Sequence, residues 1–351
     1  MDLARNIAIL MVICMHVTAA WKYGEVDTFK WHASELWDVI CRSAVPIFFM
    51  ISGAFYKEAP INKTVNKLVR FIAIFFEISL LYTLSDACWM LISGGYIQEN
   101  QILNGILNYK YHLWYLPEYI FVLSIAPILV KAIDEDKGKL TEYLLGIWIL
   151  FGILINTILT ATSGFEICEL FNRYLNFLSS LVFLSKNHVG YFILGRYLSQ
   201  KGTTKKIRNV LYTLGVIATI ALYILTDRYS HYLGYADNRW LSTLNIFVLF
   251  QASSMFIFFW NFKISDKWTW IATFLSKYTF GIYLIHVFFL DWSYNLNIFT
   301  ENGIWKYEIN PLLNTPLRVI LIYGVSFICT FAIKKISIFL KSQLNKQGVI
   351  G

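Results

Sequence analysis

Mostly apolar runs of about 18 residues or more recur along the chain, near 3–22, 36–56, 68–93, 113–132, 141–162, 179–199, 208–226, 241–261, 271–293 and 315–340. At a rise of ~1.5 Å per residue each is long enough to cross the ~30 Å hydrocarbon layer of a bilayer as a helix. The pattern predicts an all-α fold, a polytopic membrane bundle of about ten transmembrane helices. Only short polar stretches separate the runs, so the whole of 1–351 reads as a single transmembrane domain. The segments 94–112, 163–178 and 294–314 are the longer connections and are rich in Asn, Tyr and Trp. The others are short and basic.

Composition agrees: 57% of residues are hydrophobic and 15% charged, with mean hydropathy +0.54. A soluble domain carries roughly 25% charged residues, so a water-filled globule is excluded. Aromatic residues make up 18% and many lie where apolar runs end, as in interfacial belts. The net charge of +8 is unevenly placed. Arg5, Lys57, Lys63, Lys67, Arg70, Lys131, Lys137, Lys139, Lys201, Lys205, Lys206, Arg208, Lys263, Lys267, Lys334, Lys335, Lys341 and Lys346 fall on one side of a ten-span topology. Half as many, Lys22, Lys30, Lys110, Arg173, Lys186, Arg228, Arg239, Lys306 and Arg318, fall on the other. The bias predicts that both termini are cytoplasmic, in a multi-pass protein of the inner (plasma) membrane, and it argues against nucleic-acid binding. Arg5 and the apolar run after it would also suit a secretory signal, but the many spans that follow favour an uncleaved first helix. The five cysteines show no CxxC spacing, so neither a disulfide framework nor a metal site is expected.

Ionisable residues inside such spans need partners, water or a task. On the first helix the eleven-residue step from Arg5 to His16 leaves the two side chains about 20° apart around the axis and ~16 Å apart along it. Asp2 lies one turn before Arg5 on the same side. The stripe therefore reads acid, guanidinium, apolar gap, imidazole, and it is expected to form one wall of an active site. His16 has the profile of a general base, since a neutral imidazole can take a proton from a hydroxyl and return it. The plainer alternative is a histidine that bridges helices.

Lys67 and Arg70 stand three apart at the start of the third span and are expected to project to one side. With Arg5 they would place three cations at one cytoplasmic mouth, which suits a polyphosphorylated cofactor. Positive-inside anchoring is the plainer reading. Tyr283 and His286 share a face of the ninth span, and His112, Trp114 and Glu118 open the fourth on the outer side, where Trp114 could stack on a sugar ring. Arg42 is expected to pair with Glu77 or Asp86, Pro46 to kink its helix, and Gly53 to allow a close approach. His32, His188 and His231 are expected to titrate with solvent.

Taken in order, Asp2-x-x-Arg5 with His16, Pro46-Ile-Phe-Phe-Met-Ile-Ser52-Gly53, Lys67-x-x-Arg70, His112-Leu-Trp114 and Ser276 to His286 resemble the integral-membrane acyltransferase 3 family. The likeness is greatest to stand-alone O-acetyltransferases of bacterial surface polysaccharides, such as the enterobacterial common antigen type. The resemblance implies acyl transfer, usually of acetyl from acetyl-CoA or another acyl-CoA, to a hydroxyl of a glycan or lipid-linked sugar. It further implies that His16 is the essential histidine, assisted by Arg5 and Asp2, and that Arg5, Lys67 and Arg70 hold the cofactor. His112, Trp114, Glu118, Tyr283 and His286 would then meet the acceptor. Lys67 departs from the commoner Arg-x-x-Arg pair and cannot form the same two-pronged contact. Some relatives carry an added hydrolase-like or racemase domain, and neither is expected within these 351 residues. The competing class is a transporter or exporter of lipid-linked sugars, disfavoured by the absence of a visible repeat.

Overall fold

A computed structural model describes residues 1–22, 25–136, 138–182, 186–298 and 310–346. Lys137, Lys306 and most of the connection 294–314 lie outside the described residues. Among those described there is no strand, and the helices are α1 (Asp2–Lys22), α2 (Phe29–Cys41), α3 (Ala44–Ala54), α4 (Ile61–Ile92), α5 (Gln101–Leu107), α6 (Tyr115–Glu135), α7 (Lys139–Ile147), α8 (Ile155–Thr162), α9 (Glu169–Ser180), α10 (Val189–Lys201), α11 (Lys205–Leu233), α12 (Ile246–Asn261), α13 (Asp266–Ser276), α14 (Thr279–Asn295) and α15 (Pro311–Lys346). Short turns of 3₁₀ helix precede α6 and α9, and a π-helical stretch, Trp148–Leu154, joins α7 to α8.

Eight helical segments among the described residues are long and apolar enough to cross a membrane, and α13 with α14, bent by 60° at their break, makes a ninth. The protein is an all-α polytopic bundle. The run expected at 179–199 includes residues outside the described set; its start overlaps the end of α9 and its later half lies in the 13-residue helix α10. Protein covers α10 on most sides, burying Val189 to Ile193, so its length is not set by lipid.

α1 is the hub, packing against α2, α3, α12, α13, α14 and α15. Ala4, Ala8, Ile9, Val12, Ile13 and Val17 are buried around it, which suits a helix that is apolar on nearly every side. α4 is the opposite case. Val65, Val69, Ile72, Phe76, Leu80 and Leu84 stand exposed along it and form the surface that lipid would cover.

The second crossing is broken at Arg42–Ser43, three residues before the expected kink at Pro46. The reason lies in the ring. Proline clashes with the carbonyl four residues earlier, here that of Arg42, while Pro46 itself is accommodated in the first turn of α3. The close approach expected at Gly53 is present. A Cβ there would lie 1.8 Å from the Phe192 carbonyl oxygen, and one at Gly195 would lie 2.0 Å from that of Met50, so α3 and α10 touch backbone to backbone.

Gly195→Leu should therefore lower the thermal midpoint of the detergent-solubilised protein, by ~1–3 kcal/mol or more of overpacking. Gly146→Ala, where no neighbour lies within 4 Å of the new methyl, should be neutral or stabilising by up to about 1 kcal/mol. Equal melting curves for the two variants would contradict the packing described.

Candidate functional site

The amino-terminal end of α1 is fastened before any chemistry is placed on it. Arg5 Nη1 donates to Asp2 Oδ1 at 2.6 Å, Thr273 Oγ1 donates to Asp2 Oδ2 at 2.9 Å, and Asn6 Nδ2 donates to the Ala272 carbonyl at 2.8 Å. α1 is thus pinned to α13 with its guanidinium oriented. Arg5 reaches a cavity of about 510 Å³ whose walls include Tyr56, Lys57, Lys63, Lys67 and Tyr119. Four cations converge there with no carboxylate in the wall. Arg70 is exposed and does not line this cavity, so the expected common projection of Lys67 and Arg70 is not seen. Lys57 and Lys63, read from the sequence only as anchors, stand in the wall instead.

A second cavity, of about 430 Å³, extends from Arg5 past His16. Arg5, Phe48, Ser52 and Tyr119 line both cavities, so the two meet at that collar. The His16 ring lies 5.2 Å from that of His286 and 6.2 Å from that of His112, and His112 and His286 are 5.3 Å apart. Sequence reasoning put these three residues in one site, and the fold brings them to a single cluster. His286 Nδ1 lies 2.7 Å from the Tyr283 carbonyl oxygen, which can only accept, so Nδ1 carries the proton and Nε2 keeps its lone pair. Nε2 has no hydrogen-bond partner among the described residues. Tyr283 donates to the His112 carbonyl at 2.9 Å and fixes the turn that carries His112. Tyr283, His112 and Trp114 all line the cavity.

Asp2 does not line the His16 cavity; its place is beside Arg5, which it orients. Arg42 pairs with Asp38, 2.6 Å away and 1% exposed, rather than with Glu77 or Asp86. The i,i+4 spacing makes Asp38 its nearest carboxylate on the same helix. Glu77 is exposed on α4, and Asp86 lies 3.1 Å from Lys110, which also meets Asp291 at 2.9 Å. Burial opposes the charge of Lys110, but Asp291 and Asp86 outweigh it and hold the ammonium above its ordinary range. Asp38 was passed over in the sequence because it sits within an apolar run. It lines the same cavity as His16, and so does Tyr111, whose ring lies 5.3 Å from His16.

Glu118 does not line the cavity. Its carboxylate lies 3.2 Å from His188 Nδ1, and His188 Nε2 lies 2.8 Å from Thr243 Oγ1, which does line it. His188 is 5% exposed and stacks on Phe49, so it is a buried residue rather than the solvent-facing one expected. Its position is set from behind. Gly190 has no Cβ, which lets the Trp148 ring close against it, and Trp148 Nε1 donates to the Asn187 carbonyl at 3.3 Å.

Residues 1–335 match the profile of the family described as Acyltransferase domain. Among curated proteins, an amino-acid racemase of Enterococcus faecalis is 27% identical over 222 residues, 60% of this chain and 29% of that protein. Another amino-acid racemase of the same organism is 23% identical over 386 aligned residues, 99% of this chain and 47% of that protein. The chain spans less than half the length of these relatives. No solved structure matches.

The Asp38–Arg42 pair gives a direct test of the cavity wall. Arg42→Met leaves a buried carboxylate without its cation and should destabilise by up to about 3 kcal/mol, whereas Arg42→Met with Asp38→Leu should recover most of the loss. A double variant as unstable as the single one would show that the two side chains are not coupled.

Proposed function

The chain belongs to the acyltransferase 3 family, and on that premise we propose that this multi-pass membrane protein moves an acyl group, acetyl in the simplest case, from acyl-CoA to a hydroxyl of a glycan or lipid-linked sugar. One observation carries the reading. A cationic cavity and a histidine-lined cavity meet at Arg5, with His16 about three turns further along the same helix. The first suits the phosphates of a nucleotide thioester, gripped by Arg5, Lys57, Lys63 and Lys67 on the cytoplasmic side. The collar of Phe48, Ser52 and Tyr119 leads from it toward His16 and suits a thin, largely uncharged arm.

In this mechanism His16 takes the proton of the acceptor hydroxyl as its oxygen attacks the thioester carbonyl. The carbon–sulfur bond breaks, the thiolate leaves, and the imidazolium returns the proton to it. In the variant route His16 attacks first and passes the acyl group on from its own nitrogen. His112 and His286, held by backbone contacts around Tyr283, set the ring environment of His16. Trp114 and Tyr111 offer flat faces to a sugar, and Asp38 with Arg42 provides the polar patch on the opposite wall.

His16→Ala should insert normally yet lose a factor of roughly 10²–10⁴ in acetyl transfer from labelled acetyl-CoA, the range expected for a lost general base. Retention of the wild-type rate would sink the assignment. Labelled acyl group trapped on the protein in the absence of acceptor, and lost in His16→Ala, would select the relay route. Arg5→Gln and Lys67→Gln should each weaken CoA binding by calorimetry, by roughly 10- to 100-fold for a lost charge-assisted contact. Arg70→Gln should weaken it far less, because that side chain lies outside the cavity. Unaltered affinity in the first two variants would remove the proposed cofactor site.

A further inference from the structure

At the end of α1 remote from Arg5, a second group of titratable residues lies outside both cavities. Asp27 sits in the connection to α2, His32 on the first turns of α2, and His231 near the end of α11. One ligand atom from each lies within 4.8 Å of the others. We propose that Asp27, His32 and His231 bind a single divalent cation of the zinc class.

The argument begins with the protons. His231 Nδ1 lies 2.8 Å from the Asp227 backbone carbonyl, which can only accept, so Nδ1 carries a hydrogen and Nε2 holds a lone pair. That Nε2 lies 2.9 Å from Asp27 Oδ1. Two lone pairs at that distance are held together by either a proton or a metal ion between them. His32 repeats the arrangement: Nδ1 is 3.3 Å from Asp227 Oδ1 and 3.2 Å from the Tyr223 hydroxyl, while Nε2 is 3.7 Å from Asp27 Oδ1. Asp227 thus serves both rings from behind, with its carbonyl for one and its carboxylate for the other. A carboxylate or carbonyl that fixes the far nitrogen is the usual outer support of a metal-bound imidazole.

The spacing is close to what a metal needs. Bonds of ~2.0–2.1 Å to a tetrahedral zinc place neighbouring ligands about 3.3–3.4 Å apart. The two edges to Asp27, 2.9 and 3.7 Å, straddle that value, and all three ligand atoms lie within 4.8 Å of one another. Two imidazoles and one carboxylate form a donor set suited to zinc, with a fourth position open to water. α2 and α11 pack together, and the buried Trp31 lies edge-on to both imidazoles, so the histidines stand on a rigid base. Asp27 is the adjustable ligand, on an exposed loop. A bound ion would tie the connection that leaves α1 to α11.

The test uses the full chain in detergent micelles, purified on a histidine-free tag, stripped with a chelator and titrated with Zn²⁺ by calorimetry and with Co²⁺ by visible absorption. One equivalent should bind, with the Co²⁺ bands of a tetrahedral centre. Asp27→Ala, at an exposed position that leaves folding intact, and His231→Ala should each abolish those bands. Asp227→Asn should weaken Zn²⁺ binding by roughly 10- to 100-fold, as removal of an outer support does. Wild-type protein that takes up no ion, or that binds it as tightly as Asp27→Ala and the His32→Ala/His231→Ala double variant do, overturns the proposal; in that case protons alone hold the three groups together. Acyl transfer is not a readout here, so this proposal and the catalytic one fail separately.

Discussion

A charged or hydrogen-bonding side chain within a bilayer has to find a partner, and the bundle is arranged around that requirement. Arg5 leans on Asp2, Arg42 on Asp38, Lys110 on Asp86 and Asp291, and Arg196 on Asp134. Neutral groups follow the same rule: Gln251 donates to the Val39 carbonyl and Thr219, and Asn245 caps the start of α12. Some buried atoms, Gln251 Oε1 and Asn245 Nδ2 among them, find no partner among the described residues, and the histidine cluster holds more of them. His286 is wholly buried, does not itself line the His16 cavity, and spends one nitrogen on backbone while the other has no partner among the described residues. Such a nitrogen costs stability unless something enters to use it.

That cavity depends on α1 being held along its length. Two hydrophobic cores meet at this helix, one including Ala4 and Ala8, the other Ile9 to Cys14 and Val17. The small residues near its start let α3 and the α12 side come close, while the larger ones near His16 spread α2, α14 and α15 around it. Arg5 and His16 therefore keep the alignment that helical geometry gives them, because the amino-terminal end of α1 is pinned to α13 and its middle is packed on several sides. Backbone contact between α3 and α10 supplies a firm wall opposite.

Much of this was legible in the chain. Hydrophobic length gave the crossings, and helical periodicity put Arg5 and His16 on one face without any knowledge of neighbours. Gly53 announced a close contact. What the sequence could not say was which groups would meet across helices. Arg42 had several acids within plausible reach, and only the break before Pro46 and the local i,i+4 geometry decide for Asp38. Lys67 and Arg70 are adjacent in pattern, yet a rotation of ~60° between them puts one in the cavity wall and the other outside it. His188 looked like a loop residue because the support beneath it, Trp148 closing on Gly190 and hydrogen-bonded to Asn187, comes from 39 or more positions earlier in the chain. The Asp27, His32 and His231 group is invisible for the same reason, Asp27 and His231 being 204 positions apart in the chain.

The bend between α13 and α14 has an electrostatic consequence. The opening turn of any helix carries amide hydrogens that its own carbonyls cannot reach, and their aligned dipoles amount to roughly half a positive charge. Thr279 and Phe280, in that turn of α14, line the wall of the His16 cavity. A fixed positive field is thereby supplied at the cavity wall by peptide groups alone, and no change in acidity on either side of the bilayer can switch it off.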